Sequence, residues 1–268
     1  AYVLPCFPCD FLVFVPGTHP TTCIRESRYR AMYNDILVTG GRRFVVPFVQ
    51  RDTETGRVEL SEVGVIFHLD DLKEVSEETD DRLKYICSHS ISGRVRLCRV
   101  LNPFAYKDAS TYLRVEVEDV NEVDLSVDCE SFEKQVEALI RELGSLQKLL
   151  GLWTQFSSDD LDRTDCSRGD GFWSTVEMWR DYVSRLDARR IEQATYETPV
   201  KDSDELRALR FRLQQDAKPR VISQNKQIQE LLQSESHRER LGLLRGIVQG
   251  EVKRLRAKQA LRTILDEQ

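Results

Sequence analysis

The sequence predicts an α+β fold: a β-barrel of about six strands with one early helix, followed by an all-α helical bundle. Three observations predict it. Up to about residue 124, apolar residues come in short runs rich in Val, Ile, Phe and Tyr, some alternating with polar neighbours as in Arg94 to Val100 and Leu113 to Glu118. Beyond that point they recur every three or four positions, the period of a helix with one buried face. Between Cys23 and Leu37 an extended segment runs into an amphipathic helix whose apolar residues are Tyr29, Met32, Tyr33, Ile36 and Leu37. Two domains in series are expected, 1–124 and 125–268.

In the first domain, Tyr2 to Phe7 and Phe11 to Phe14 read as strands and Pro16-Gly17 as a turn. Thr21 to Ile24 is extended and leads into a helix over Arg28 to Val38, stopped by Gly40-Gly41. Arg43 to Gln50 reads as a strand in which Pro47, lacking an N–H, belongs at an edge or a bulge. Asp52 to Gly56 reads as a hairpin turn before a strand over Val58 to Leu69, and the acidic stretch Asp70 to Asp81 as a loop. Leu83 to Ser90, Ser92 to Leu101 and Thr111 to Val120 complete the strands.

In the second domain, Asp128 is the expected N-cap of a helix whose stripe is Phe132, Val136, Leu139, Leu143, Leu146 and Leu150. Trp153 to Asp170 reads as a polar loop, and Phe172, Val176, Trp179, Val183 and Leu186 mark the next helix. Asp202 with Glu205, and Ser236 with Glu239, have the spacing of capping boxes. Leu206, Leu209 and Leu213 mark a short helix that Pro219 should end. Ile222, Ile228, Leu231 and Leu232 mark another, and Leu241, Leu244, Val248, Val252 and Leu255 a long last one.

At 268 residues the chain is long enough to bury a sizeable core without disulfide or metal staples. Its net charge of -6 argues against a general nucleic-acid or anionic-membrane binder, which needs an excess of Lys and Arg. No apolar run approaches the roughly 20 residues of a membrane span, so no membrane insertion is expected. The seven cysteines are odd in number and irregularly spaced, as expected of free thiols in a reducing compartment. The chain starts at Ala1 rather than Met, which leaves room for a removed leader.

A set of short motifs, in order, resembles one family. Leu4-Pro5-Cys6-Phe7-Pro8-Cys9 is followed by Phe14-Val15-Pro16-Gly17 and then by Glu26-Ser27-Arg28-Tyr29-Arg30-Ala31-Met32. Val63-Gly64-Val65-Ile66, Gly93-Arg94-Val95-Arg96-Leu97 and Tyr112-Leu113-Arg114-Val115-Glu116-Val117 complete the set. These resemble the LON domain, the N-terminal substrate-binding domain of ATP-dependent Lon proteases. Ile228 to Leu232, followed by Glu239-Arg240-Leu241, is similar to the helical segment after the barrel in that family. The resemblance implies a PUA-like barrel, and fold-defining roles for Pro16, Gly17, Glu26, Arg28, Tyr29, Gly64, Gly93 and Tyr112. Cys6, Cys9 and Arg114 depart from the family pattern, standing where leucine or alanine is usual. The layout is also similar to plant and algal LON-domain proteins, several of which carry plastid transit peptides, so the resemblance implies a chloroplast location.

The sequence holds no Gly-x-x-x-x-Gly-Lys-Ser/Thr loop, no Ser-Lys protease module and no cysteine-histidine array of the RING type. Cys6-Phe7-Pro8-Cys9 has redox C-x-x-C spacing, but in an extended segment rather than at a helix start, so two small core residues are the favoured reading. His19, His68, His89 and His237 have no metal-ligand spacing and read as solvated or locally hydrogen-bonded. The basic run Lys253 to Lys258 on the last helix reads mostly as a solvated face. No catalytic residue, cofactor or metal is expected. The functional expectation is a non-catalytic protein-binding module, adaptor- or holdase-like, whose partners are an unfolded client, a protease or a large assembly. A linker subunit of such an assembly, an unrecognised hydrolase and an RNA-binding PUA-like protein are the alternatives.

Overall fold

The computed structural model describes residues 1–51, 57–198 and 202–266. The expected turn over Asp52 to Gly56 lies outside them. The chain forms two units, Ala1–Val123 and Asp124–Gln268.

The first unit is a barrel. Its strands are β1 (Tyr2–Cys6), β2 (Thr21–Ile24), β3 (Arg43–Arg51), β4 (Val58–Glu74), β5 (Tyr85–Val100) and β6 (Leu113–Asp119), with helices α1 (Ser27–Val38) and α2 (Ala105–Asp108). Their order is β2-β5-β4-β3-β1-β6, and a further β5–β6 pairing closes five strands into a ring. The first strand lies between the third and the last: β1 runs parallel to β3 and antiparallel to β6, with Tyr2 opposite Val117 and Cys6 opposite Leu113. The strand left over, β2, pairs with β5. Inward-facing Leu4, Cys6, Val45, Ile66, Val95, Leu113, Val115 and Val117 form one core cluster. Strict alternation places them there, since every second residue of a strand faces the same way.

The periodicity of α1 is borne out: Tyr29, Met32, Tyr33 and Ile36 are buried. Three strand expectations need correction. Phe11 to Phe14 is irregular, although Val13 and Val15 are buried and Phe14 meets Phe67 edge-on at 5.0 Å. Val13 reaches the core without joining a ladder while Phe11 is exposed, a use that a short apolar run does not distinguish from a strand. Leu83 to Ser90 and Ser92 to Leu101 are one strand, β5, with a bulge where the partners of Phe67 and Ile66 skip from Ile91 to Gly93. The extra residue, Ser92, breaks the alternation and hides the continuity. Asp70 to Glu74 continues β4, paired with β5 up to Glu74–Tyr85, so only the rest of the acidic stretch is turn and loop. Pro47 sits at a register shift of the β3–β4 ladder, as its missing N–H predicts, with β4 on one side of β3 and β1 on the other.

His89 also departs from expectation. It is 1% exposed and lies among Tyr33, Phe44 and Phe67, with ring centroids 5.3–5.9 Å away. Its Nδ1 faces the Pro20 carbonyl, an acceptor, so that nitrogen carries the proton. Nε2 therefore accepts from the Tyr33 hydroxyl at 2.8 Å, and the Thr22 hydroxyl lies 3.3 Å from the Tyr33 oxygen. One chain of polar contacts thus joins β2, α1 and β5. Burial holds the imidazole neutral, down to about 4, against weaker opposing effects of the Pro20 carbonyl and Asp70. An unfolded chain takes up a proton near pH 6.5 that the folded one refuses until about 4. Stability is therefore full above pH 6.5 and falls between there and 4, by on the order of 3 kcal/mol. In a titration followed by NMR, the His89 ring signal should hold its neutral position down to pH 5 while the urea midpoint falls. A ring signal that moves near pH 6.5 would contradict this arrangement.

The second unit is helical: α3 (Glu130–Leu149), α4 (Ser158–Asp162), α5 (Asp170–Glu197), α6 (Ser203–Gln233) and α7 (His237–Asp266). Helix α3 packs along α7, and α5 along α6. The buried stripe of α3 contains Val136, Ile140, Leu143 and Leu146, with Ile140 rather than the half-buried Leu139 facing inward. The loop expected over Trp153 to Asp170 contains α4, started by a reciprocal capping box between Ser157 and Asp160. Asp202 caps α6 through the N–H groups of Asp204 and Glu205, as its spacing predicts. Pro219 does not end a helix: α6 runs through it, so the two short helices expected there are one. Burial of Ala217, Asn225, Ile228, Leu231 and Leu232 on one face supplies the packing that offsets the missing N–H.

Candidate functional site

Three of the signature residues, Glu26, Arg28 and Tyr29, meet at the start of α1. Glu26 is the N-cap, with extended backbone, and its carbonyl accepts the N–H groups of Tyr29 and Arg30. Its carboxylate takes both the Nε and an Nη of Arg28 at 2.8 Å. The Arg28 guanidinium lies 4.7 Å over the Tyr29 ring, and that ring packs 4.2 Å from Phe7. Arg28 is thus occupied from two sides inside its own motif.

The long-range tie is made by Arg30, which sequence reasoning passed over. It donates to the Arg25 carbonyl, to both carboxylate oxygens of Asp81 and to the Asp81 carbonyl, all at 2.8 Å. Asp81 has φ of +56°, and the bidentate contact holds this turn against α1. The guanidinium draws the Asp81 carboxyl below its ordinary value. The signal was present as an arginine one turn into the helix and an aspartate at the end of an acidic stretch, but only the fold brings them together.

The remaining family residues lie elsewhere in the barrel. Pro16 is buried, and Gly17, at φ +75°, donates its N–H to the Ile91 carbonyl. Gly64 faces Pro47 across the β3–β4 ladder, where an added Cβ would stand 3.0 Å from the Val46 carbonyl oxygen. At Gly93 an added Cβ would meet nothing within 4 Å. Tyr112 donates its hydroxyl to Asp35 on α1 at 2.6 Å and is pushed up to about 12, by burial first and then by this carboxylate. Cys6 and Cys9 are both buried free thiols, and burial pushes both above the ordinary thiol value, which disfavours the thiolate that redox exchange needs. Among the described residues, no group of three or more His, Cys, Asp or Glu is placed to hold a metal ion. No helix among them is long and apolar enough to cross a membrane.

Beside this corner, β2 is the end strand of the sheet order. Its Thr21 and Cys23 side chains are exposed, Ile24 is buried, and α1 begins three residues later. The arrangement is a sheet-end strand followed by a helix that Arg30 ties to the Asp81 turn.

The second unit has its own polar centre. Asp124 accepts the backbone N–H groups of His237 and Arg238, the Ser236 hydroxyl and an Nη of Arg168, at 2.8–3.0 Å. These donors hold its carboxyl well below the usual range, although its partial burial works the other way. His237 is fully buried, with Nε2 2.8 Å from Glu133 and its ring edge-on to Phe172. It is therefore neither solvated nor locally bonded, contrary to the reading from sequence.

Comparison with known proteins follows the same outline. No curated protein matches the chain. The solved structures that resemble it include the Lon N-terminal domain protein from Xanthomonas campestris and the N-terminal domain of the Mycobacterium avium complex Lon protease. The first is 15% identical with a TM-score of 0.46, covering 91% of this chain and 97% of that one. The second is 15% identical with a TM-score of 0.45, covering 92% and 98%. A sequence model for the ATP-dependent protease La (LON) substrate-binding domain matches residues 3–250, through both units. By that match, the chain belongs to the LON substrate-binding domain family.

Proposed function

We propose that this protein binds exposed segments of other proteins, adding them as an extra strand along the edge of β2 beside α1, and works as an adaptor or holdase. The observation that carries the reading is the family match over residues 3–250, since the LON substrate-binding domain is a non-catalytic domain of substrate recognition. The end position of β2 supports the placement: an unpaired strand edge offers main-chain hydrogen bonds to any extended segment, which suits recognition that tolerates many sequences. The exposed Thr21 and Cys23 flank the edge without entering the core.

Fluorescence anisotropy with labelled unfolded casein tests the reading. The full chain should bind it saturably and ignore a folded control protein. The double variant Thr21→Lys, Cys23→Lys puts charge on the edge, the device by which natural edge strands refuse partners, and should weaken binding about ten-fold. Failure of the unmodified chain to bind any unfolded protein would end the proposal.

A further inference from the structure

The second unit carries a groove that the strand-edge reading leaves unused. A cavity of about 350 Å³ lies between α3 and α7, lined by Asp128, Cys129, Ser131, Phe132, Gln135, Arg238 and Arg245. Phe132 and Gln135 are three residues apart on α3 and share a face. Arg238 and Arg245 are seven apart on α7, two turns, so their Cα atoms stand roughly 10 Å apart along one side.

Most arginines of this unit are committed. Arg168 is held by Asp124, Arg220 by Asp187, Arg254 by Glu251 and Arg256 by Glu142. The last two belong to the basic run from Lys253 to Lys258, which the sequence marks out as the positive feature of α7. The structure moves that feature upstream. Both Arg238 and Arg245 are exposed, and among the described residues neither guanidinium enters an ion pair. Arg245 lies 5.8 Å over the Phe132 ring. Asp128, the acid of the lining, already accepts the Glu130 N–H at 2.9 Å.

We propose that this groove binds an acidic segment of a protein partner, with carboxylates on Arg238 and Arg245 and an apolar side chain between them on Phe132. The proposal rests on the protein-recognition reading above and deepens it by naming the chemistry of the segment. Arginine suits a carboxylate because its planar fork donates two parallel hydrogen bonds to it. On an extended chain every second side chain faces the same way, so Glu-x-Leu-x-Glu presents both carboxylates and the leucine between them on one face, with its glutamates about 13 Å apart, within reach of two long arginine side chains. A nucleic acid is the poorer fit. The chain carries net charge -6, whereas the phosphate repeat of a nucleic acid calls for a broad excess of basic residues and for several aromatic faces, and the lining offers one aromatic ring, Phe132.

The test uses the full chain and a fluorescein-labelled peptide with glutamates four residues apart and a leucine midway between them. Saturable binding should weaken as salt is raised, and the glutamine version of the peptide should not bind. Arg238→Ala and Arg245→Ala should each weaken binding about ten-fold, and Arg238→Glu with Arg245→Glu should abolish it. Arg→Lys at either position should restore only part of the affinity, because the fork is lost. Both side chains are exposed, so unchanged circular dichroism and melting temperature should accompany these losses. Equal affinity for the wild-type chain and the alanine variants would overturn the groove while leaving the strand-edge reading intact, if Thr21→Lys, Cys23→Lys still weakens casein binding. Displacement of the peptide by oligouridylate, with the arginine variants losing the RNA, would overturn the assignment to protein. If neither casein nor the peptide binds, both proposals fall.

Discussion

Asp124→Ala is expected to lower stability by about 3 kcal/mol, because it removes a buried carboxylate that four donors hold. Its carboxylate satisfies two backbone N–H groups at the start of α7, which have no partner within the helix, and places a negative charge where the helix dipole favours it. It also neutralises Arg168, which would be left half-buried with its remaining contacts to the Asp124 and Val127 carbonyls. In a unit of this size that loss corresponds to a drop in melting temperature of roughly 10 °C. Asp124→Asn keeps an acceptor and loses the charge, so about half the effect should remain. The pH dependence fixes the cause. A carboxyl held below its ordinary value contributes its stability in full above the unfolded value near 4, and gives it up as the pH falls toward the lowered one. The gap between wild type and Asp124→Asn should therefore close as the pH is taken below about 4. Variants melting within a degree of wild type at neutral pH would show that the cap is not holding α7.

Gly64→Ala and Gly93→Ala should separate sharply, although both glycines belong to the same family signature. At Gly64 the new methyl group would press on the Val46 carbonyl oxygen at 3.0 Å and on the Pro47 backbone at 3.1 Å. These are main-chain atoms of β3, pinned between β4 and β1, so they cannot swing aside as a flexible side chain would. A cost of about 2 kcal/mol is expected, from overpacking without relief. Gly93 has open space around it, and a strand glycine is costly for conformational entropy alone, so Gly93→Ala should be neutral or stabilising by up to about 1 kcal/mol. Urea unfolding of the two variants against wild type decides the matter. Equal destabilisation would mean that the β3–β4 approach is not what fixes glycine at position 64.

The contrast shows what the sequence carries and what it does not. Periodicity marks the buried face of α1 because each turn repeats the same local constraint, and Tyr29, Met32, Tyr33 and Ile36 follow it. The order of weak motifs marks the family. Arg30 and Asp81, or Asp124 and the start of α7, are separated by long stretches of chain, and nothing in either neighbourhood marks the other. His89 and His237 read as surface residues for the same reason, since their partners Tyr33 and Glu133 are supplied by other elements. Pro219 misleads in the opposite direction. Its local rule is sound, but the packing of α6 on one face outweighs one lost hydrogen bond. On α7 the densest run of positive charge is where partners are also densest, so the open guanidiniums of Arg238 and Arg245 stand out only once the pairs are assigned.

Both units fasten their first residues to their last element. In the barrel β1 lies against β6, and in the helical unit Asp124 grips the start of α7. A chain emerging from the ribosome therefore cannot finish either unit piece by piece. The slot for β1 stays half-built until residue 119 has been made, and α7 lacks its anchor contact until residue 238 follows residue 124 into place. Each unit is completed late and all together, so removing β1 from the one or Asp124 from the other opens a closure and does not merely trim a tail.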